Sequence, residues 1–279
     1  MFDNRILQFA PWSISKVGQL EKCLKHYKFK YIDKFPPGPS GPAARIGSVV
    51  HAALELGLAE NSTQGVSDAL EKAAKTTELA LTTTELDKAR AYLPAAHDFI
   101  KRVATFRDKM KVKEVLIEAD LAIHPDFTKA SYFDKKALLR GKVDFAMITG
   151  DDMLVILDHK TGKKKIVTEH MPQLYSYAIM GLASYPVRGV QCGIHYVGSP
   201  DLQLLPGMSA EEIRQKLHPW LLNYLNSKAP RIEEILTGDP QPTVGWECEF
   251  CEFAKHGYCD EGATEANRRK TSRSLPIVD

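Results

Sequence analysis

The chain has 279 residues, 44% hydrophobic and 26% charged, an ordinary globular composition with room for one large domain or a core with an elaborated arm. No stretch approaches the roughly 18 apolar residues of a membrane span, so membrane-spanning and disordered classes are excluded and no membrane partner is expected. A net charge of +2 says little about a polyanionic partner, and Asp3, Asn4 and Arg5 stand where an export signal would be apolar, so a cytoplasmic setting is expected.

In chain order, Ser13 to Tyr31 is predicted as a helix with Val17, Leu20, Leu24 and Tyr27 on one side. The Pro/Gly run 36–42 cannot be regular structure. A second helix over Ala43–Ala59 carries the stripe Ile46, Val49, Val50, Ala53, Leu54 and Leu58, and amphipathic helices follow near 66–81 and 84–109. At Val112 the pattern changes to β-branched and alternating runs, predicting strands over 115–123, 137–148 and 153–158. A helix over Glu169–Ala183, a strand over Val190–Val197 and helices near 209–226 and 231–237 complete an α/β order. The expected divisions are a helical region 1–112, a core 113–207, C-terminal helices with a cysteine cluster 208–261, and a frayed polar tail 262–279.

The most informative chemistry sits in the middle. Gly141-Lys142-Val143-Asp144 ends in a carboxylate within one predicted strand, and Leu157-Asp158-His159-Lys160 closes the next. Residues two apart on a strand share a face, so Asp158 and Lys160 project together and Asp144 can join them. Two converging carboxylates suit Mg²⁺ or Mn²⁺, and an adjacent ammonium suits metal-assisted phosphodiester hydrolysis. The basic run Lys160 to Lys165 starts at the same place and serves equally as phosphate contact or solvated turn.

Cys248-Glu249-Phe250-Cys251 and Cys259 form C-x₂-C-x₇-C, a metal or cluster spacing when thiols are reduced. A tetrahedral centre needs a fourth ligand. Cys23 can supply it for an iron–sulfur cluster, or His256 can complete a local zinc site with Cys248, Cys251 and Cys259. Cys192, on an apolar strand, is expected to be an inert core thiol.

Gly-x-x-Asp followed by Val155-Ile156-Leu157-Asp158-His159-Lys160-Thr161-Gly162 resembles the RecB/AddB/Cas4-like branch of the PD-(D/E)xK nuclease superfamily. Gly47 to His51 is similar to that branch's upstream helix with its metal-contacting histidine. Gln173 and Tyr177 are similar to its Gln-x-x-x-Tyr motif, and Glu118 to the acidic residue of the first core strand. The resemblance implies a restriction-endonuclease-like α/β core, a central mixed sheet flanked by helices, with an N-terminal helical arm and a C-terminal cysteine cluster. It implies a DNA exonuclease, preferring single strands or free ends, in which Asp144, Asp158, His51 and the backbone carbonyl of His159 bind the divalent ion. Lys160 would position water, Gln173 and Tyr177 would orient the DNA or the lysine, and Glu118 would add an acid. Cys23, Cys248, Cys251 and Cys259 would hold a [4Fe–4S] cluster as a staple, although the seven-residue final gap is longer than that branch's usual one.

The resemblance further implies a prokaryotic or phage-encoded protein. No P-loop motif is present, so a motor would come from a helicase, recombination or CRISPR-integrase partner. A non-catalytic nucleic-acid-binding module and an RNA substrate stay open on the sequence.

Overall fold

The computed structural model of the protein describes residues 1–36, 38, 40–75 and 81–274. Strands form where β-branched and apolar residues concentrate: β1 (Glu114–Ile123), β2 (Leu139–Ile148), β3 (Met153–Lys160) and β4 (Gly189–Tyr196), with short β5 (Leu202–Leu204) and β6 (Met208–Ser209). The first three are an antiparallel meander, and β3 and β4 run parallel. Strand β4 then pairs antiparallel with β5 near its end and with β6 at its start. The sheet is therefore mixed and flanked by helices, the architecture expected from the sequence.

The helices are α1 (Asn4–Gln8), α2 (Ile14–Lys22), α3 (Leu24–Tyr27), α4 (Pro42–Glu60), α5 (Thr63–Ala73), α6 (Thr83–Arg90) and α7 (Leu93–Lys109). After β3 come α8 (Met171–Ser184), α9 (Ala210–Glu212), α10 (His218–Asn226), α11 (Ala229–Thr237), α12 (Glu252–Lys255) and α13 (Asp260–Ser274). The chain divides into two compact units: Gly41–Leu222, which holds the sheet, and Met1–Ser40 with Asn223–Asp279, which joins both ends of the chain. Among the described residues no helix is long and apolar enough to cross a membrane.

Two local departures from the sequence pattern matter. The single helix expected over 13–31 breaks at Cys23, whose backbone is extended between α2 and α3 (φ −154°, ψ 114°). Most of the polar stretch expected to fray is the helix α13 as far as Ser274, while 275–279 lie outside the described residues. The end of the helix expected over 66–81 likewise falls partly on residues that are not described, 76–80.

In the unit 41–222, α4 starts with Pro42 in its first turn, where a missing N–H costs nothing, and stops at Asn61 in the left-handed region (φ 50°). Its apolar stripe, Val49, Val50, Ala53 and Leu54, packs with Phe99, Ile100 and Val103 of α7 and with Phe145, Met147 and Leu157 of the sheet. Each of these buried Val, Leu, Ile, Phe and Met side chains contributes about 1.5–3 kcal/mol. This core fixes α4 beside the end of β3. It holds the remaining face of α4, with His51, toward the carboxylates.

Candidate active site

Strand β3 is a buried apolar run, Leu154 to Leu157, that ends in Asp158, His159 and Lys160. Its antiparallel pairing with β2 proceeds from Ile148–Leu154 to Phe145–Leu157 and stops there. At the next position a side chain replaces the ladder: the His159 N–H donates to Asp144 Oδ2 at 2.6 Å. Because the Lys160 carbonyl accepts from Val197 beyond β4, strand alternation turns the His159 N–H and carbonyl toward the β2 side. Asp144 is thus held by the backbone of the strand that carries its partner acid.

Asp158 is nearly fully buried, at 2% exposure, and its carboxylate meets three polar side chains. Lys160 Nζ lies 2.6 Å from Oδ2. Gln173 Nε2 donates to Oδ1 at 2.8 Å and reaches the Tyr177 hydroxyl at 3.0 Å. Tyr177 in turn donates to the Lys142 carbonyl at 2.8 Å, so α8 clamps Asp158 and the β2 backbone together. Gln173 and Tyr177 hold the carboxylate rather than the lysine. The glycine of Gly141-Lys142-Val143-Asp144 explains itself sterically: a Cβ there would stand 3.2 Å from the Tyr177 ring and 3.0 Å from the Met180 methyl.

His51 of α4 brings Nδ1 to 3.9 Å from Asp144 Oδ2, and burial pushes its imidazole below the ordinary value, toward the neutral form that can ligate. Burial and the neighbouring Asp158 charge push the Asp144 carboxyl up to about 7, against the opposing pull of the His159 N–H and the Lys160 ammonium. Burial, then the Asp158 and Asp144 charges, raise the Tyr177 hydroxyl well above its usual range, so it stays a donor.

Glu118 stands at a break in the β1–β2 ladder: Ile117 pairs with Phe145 and Ala119 with Val143, and Glu118 between them has φ +51°. A left-handed glutamate inside a strand is locally strained, as residues at functional sites often are. It lies 3.5 Å from Lys142 Nζ and faces the same open cleft as His51 and Asp144. The cleft also receives Glu55, which the sequence reading passed over although it is i+4 from His51 on the same helix face, and Thr161.

The His159 side chain is elsewhere. It is on the opposite face of β3 from Asp158, buried against Phe99 and Phe145, with Nδ1 3.0 Å from His195 Nδ1. Burial first, then neighbouring positive charge, drives both rings well below their ordinary values. Only the His159 backbone can serve the site. Of the basic run, Lys164 pairs with Asp201 at 2.8 Å and Lys165 with Glu169 at 3.1 Å.

Residues 11–259 match the PD-(D/E)XK nuclease superfamily. The chain belongs to this superfamily. Among solved structures it is similar to a protein of Eubacterium rectale provisionally described as an exonuclease, at 15% identity over 88% of this chain and 86% of that one, with a TM-score of 0.46. It is also similar to SSO0001, at 9% identity over 86% and 93% of the two chains, with a TM-score of 0.32. No curated protein matches.

Superfamily nucleases use divalent metal ions, and the donor set at this site fits one: two carboxylates that repel each other while buried, a neutral imidazole and a backbone carbonyl. Among the described residues, no three His, Cys, Asp or Glu side chains converge closely enough to hold an ion as they stand.

The other unit contains four of the five cysteines. Cys23, Cys248, Cys251 and Cys259 line one small cavity of about 20 Å³, walled by Phe29 and Phe253. Backbone N–H groups of Phe253 and Ala254 point at the Cys251 sulfur, and that of Gly262 at Cys259. A Cβ at Gly262 would come within 3.1 Å of Cys259 Sγ and 3.7 Å of Cys248 Sγ. Thiols from both chain ends, apolar walls and N–H donors to sulfur thus meet at one small cavity. The histidine beside it is His26, whose Nδ1 is 3.5 Å from Cys251 Sγ. His256, the ligand expected for zinc, is exposed and stands against Gly38. Cys192 is buried in β4, where desolvation raises its thiol.

Proposed function

We propose that the chain is a Mg²⁺- or Mn²⁺-dependent deoxyribonuclease of the RecB/AddB/Cas4-like type, an exonuclease acting on single strands or free DNA ends. The observation that carries this reading is the clamped Asp158: it touches Lys160, Gln173 and Tyr177 at once, beside a second buried acid. A module that merely bound nucleic acid would gain nothing from burying two repelling carboxylates.

Asp144, Asp158, His51 and the His159 carbonyl would hold the metal. When bound, a divalent ion supplies Lewis-acid activation of the phosphate and of water. Lys160 orients the attacking water and neutralises charge developing on the phosphate oxygens. Gln173 and Tyr177 fix the Asp158 carboxylate in one rotamer, so one oxygen is committed to α8 and the other faces Lys160. The unit built from the chain ends is read as an iron–sulfur module with Cys23, Cys248, Cys251 and Cys259 as ligands. The protein would work in a reducing cytoplasm, prokaryotic or phage-encoded, with strand separation supplied by a partner helicase, recombination protein or CRISPR integrase.

The test is incubation of purified protein with end-labelled single- and double-stranded DNA, with and without Mn²⁺, beside Lys160→Ala and Asp158→Asn. Metal-dependent shortening that both variants lose supports the reading. Wild-type and variant proteins that bind DNA equally and cleave nothing would replace it with the binding-module reading.

A further inference from the structure

The open cleft at the carboxylates is one half of a longer groove. It has a volume of about 470 Å³ and is lined by Ala43, Gly47, His51, Glu118, Asp144 and Thr161, among others. A second cavity of about 500 Å³ adjoins it, lined by Ala43, Thr161, Gly162, Gly198, Tyr92 and Lys88, among others. Ala43 and Thr161 belong to both walls, so the two spaces adjoin at the turn that follows Lys160.

The floor at that passage is made of residues with little or no side chain. A Cβ at Gly47 would already stand 3.1 Å from Thr161 Oγ1, so a larger residue there would crowd the passage. On the far side the Tyr92 hydroxyl donates to the Thr161 carbonyl at 2.7 Å, tying the α6–α7 corner to the turn one residue beyond Lys160. The Tyr92 ring borders the second cavity, and Lys88, one turn back on α6, is exposed there with no ion pair among the described residues. Most other lysines near the site are already matched to acids: Lys142 to Glu118, Lys164 to Asp201 and Lys165 to Glu169.

We infer that one strand of nucleic acid runs through this groove, with the scissile phosphate at Asp144 and Asp158, an adjacent nucleotide against the Tyr92 ring, and its phosphate on Lys88. This rests on the nuclease reading of the carboxylates and adds the path of the substrate to it. Each compartment has the volume of a site for one small organic molecule, which matches a single nucleotide unit. An aromatic ring beside a lone cation is the chemistry of sequence-tolerant single-strand binding. Tyr92 acts in two ways, as a stacking surface and, through its hydroxyl, as a positioning residue for the turn after Lys160.

The experiment is anisotropy titration of a labelled single strand of about 12 nucleotides, in EDTA so that nothing is cleaved, against wild type, Lys88→Gln, Lys88→Glu and Tyr92→Ala. Lys88→Gln should lower the slope of log Kd on log salt by about 0.7, the value for one phosphate contact on a single strand. Lys88→Glu should weaken binding on the order of tenfold, and Tyr92→Ala by a similar factor if it folds. A duplex of the same length should bind more weakly and be indifferent to Lys88. Hydrolysis of bis(p-nitrophenyl) phosphate by wild type with Mn²⁺, a substrate that does not fill the groove, reports the carboxylate site separately from strand binding. Unchanged affinity and salt slope in both Lys88 variants, or equal losses for single strand and duplex, would overturn the groove. Weakened strand binding together with no phosphodiester hydrolysis by wild type would keep the groove and remove the nuclease assignment instead.

Discussion

Asp144 and Cys251 are both half-buried acids with backbone N–H groups aimed at them, but their surroundings differ. Around Asp144 stand a second carboxylate, an ammonium, an imidazole and a cleft open to solvent, and burial with the Asp158 charge lifts its carboxyl to about 7. Around Cys251 stand other thiols, Phe29, Phe253 and His26 in a small cavity of about 20 Å³, and burial is the leading cause that raises its thiol. The first arrangement tolerates charge that is made and neutralised repeatedly, because water and substrate can enter. The second has no room for turnover. On the proposed reading it takes a group installed once, tying Cys23 near the N-terminal end to three cysteines near the C-terminal end. The comparison separates a site for chemistry from a site for cohesion, and variants should separate the two by what they damage.

The largest effect is expected from Lys160→Ala. Removing the ammonium from the developing phosphate charge should lower kcat on the order of 10³-fold. The Asp158 carboxylate left unpaired also costs stability, so kcat is measured on the folded fraction. A rate within tenfold of wild type, measured on end-labelled DNA, would show that the ion pair with Asp158 is structural only.

Cys23→Ala should damage stability instead of rate. Opening a link between distant parts of the chain costs stability on the order of several kcal/mol, which is roughly 5–15 °C for a protein of this size. Protein prepared without oxygen should be brown and contain iron, and the variant should lose colour and melt early while any surviving folded fraction cleaves at the wild-type rate. A colourless protein whose melting is insensitive to Cys23→Ala would leave the cysteine cavity as ordinary core.

How far these regions were legible in the sequence follows the same division. Asp158 and Lys160 are two apart on a strand, and the strand's own alternation brings them together, so local spacing sufficed. Strands β5 and β6, of three and two residues, carry too little periodicity to be read. The break at Cys23 was hidden because the apolar pattern runs through it from Val17 to Tyr27 while the backbone turns extended for one residue. The proposed zinc ligand His256 was plausible by spacing alone. Only packing shows His26, from the other end of the chain, beside Cys251. Gln173 and Tyr177 stand out in the sequence through their resemblance to a Gln-x-x-x-Tyr motif, and their i,i+4 spacing alone fits simple packing. Their target is not legible there, because the Gly141 space that admits the Tyr177 ring is a tertiary fact.

The clamp on Asp158 gives a third, intermediate effect. A hydrogen bond to a charged group contributes about 1.5–3 kcal/mol, so Gln173→Leu should reduce kcat/KM by roughly 10- to 100-fold. Tyr177→Phe should cost less, since its hydroxyl bonds chiefly to the Lys142 carbonyl and reaches Asp158 only at 3.4 Å. Equal losses in the two variants would mean that α8 acts by packing rather than through the carboxylate.

The smallest effect is on stability, and its sign opposes intuition. Asp144 has its carboxyl at about 7 in the folded protein against an ordinary 3.8, so folding favours the protonated acid. The associated stability is fully present below the ordinary value, declines as pH rises, and is gone above about 7, where the buried carboxylate must be charged. Metal-free protein should therefore lose stability between pH 5 and pH 8 through this group, and Asp144→Asn, which is neutral throughout, should flatten that slope. At pH 8 the variant should melt above metal-free wild type, by about 2–4 °C for each kcal/mol of relief. Mn²⁺ competes with the proton for the same oxygens, so it should stabilise wild type more at pH 8 than at pH 6 and leave Asp144→Asn unmoved. Calorimetry at the two pH values, with and without Mn²⁺, checks all of this in one series. A metal-free wild type that is more stable at pH 8 than its Asp144→Asn variant would mean that the His159 N–H and Lys160 outweigh burial, and that the carboxylate is comfortable without an ion.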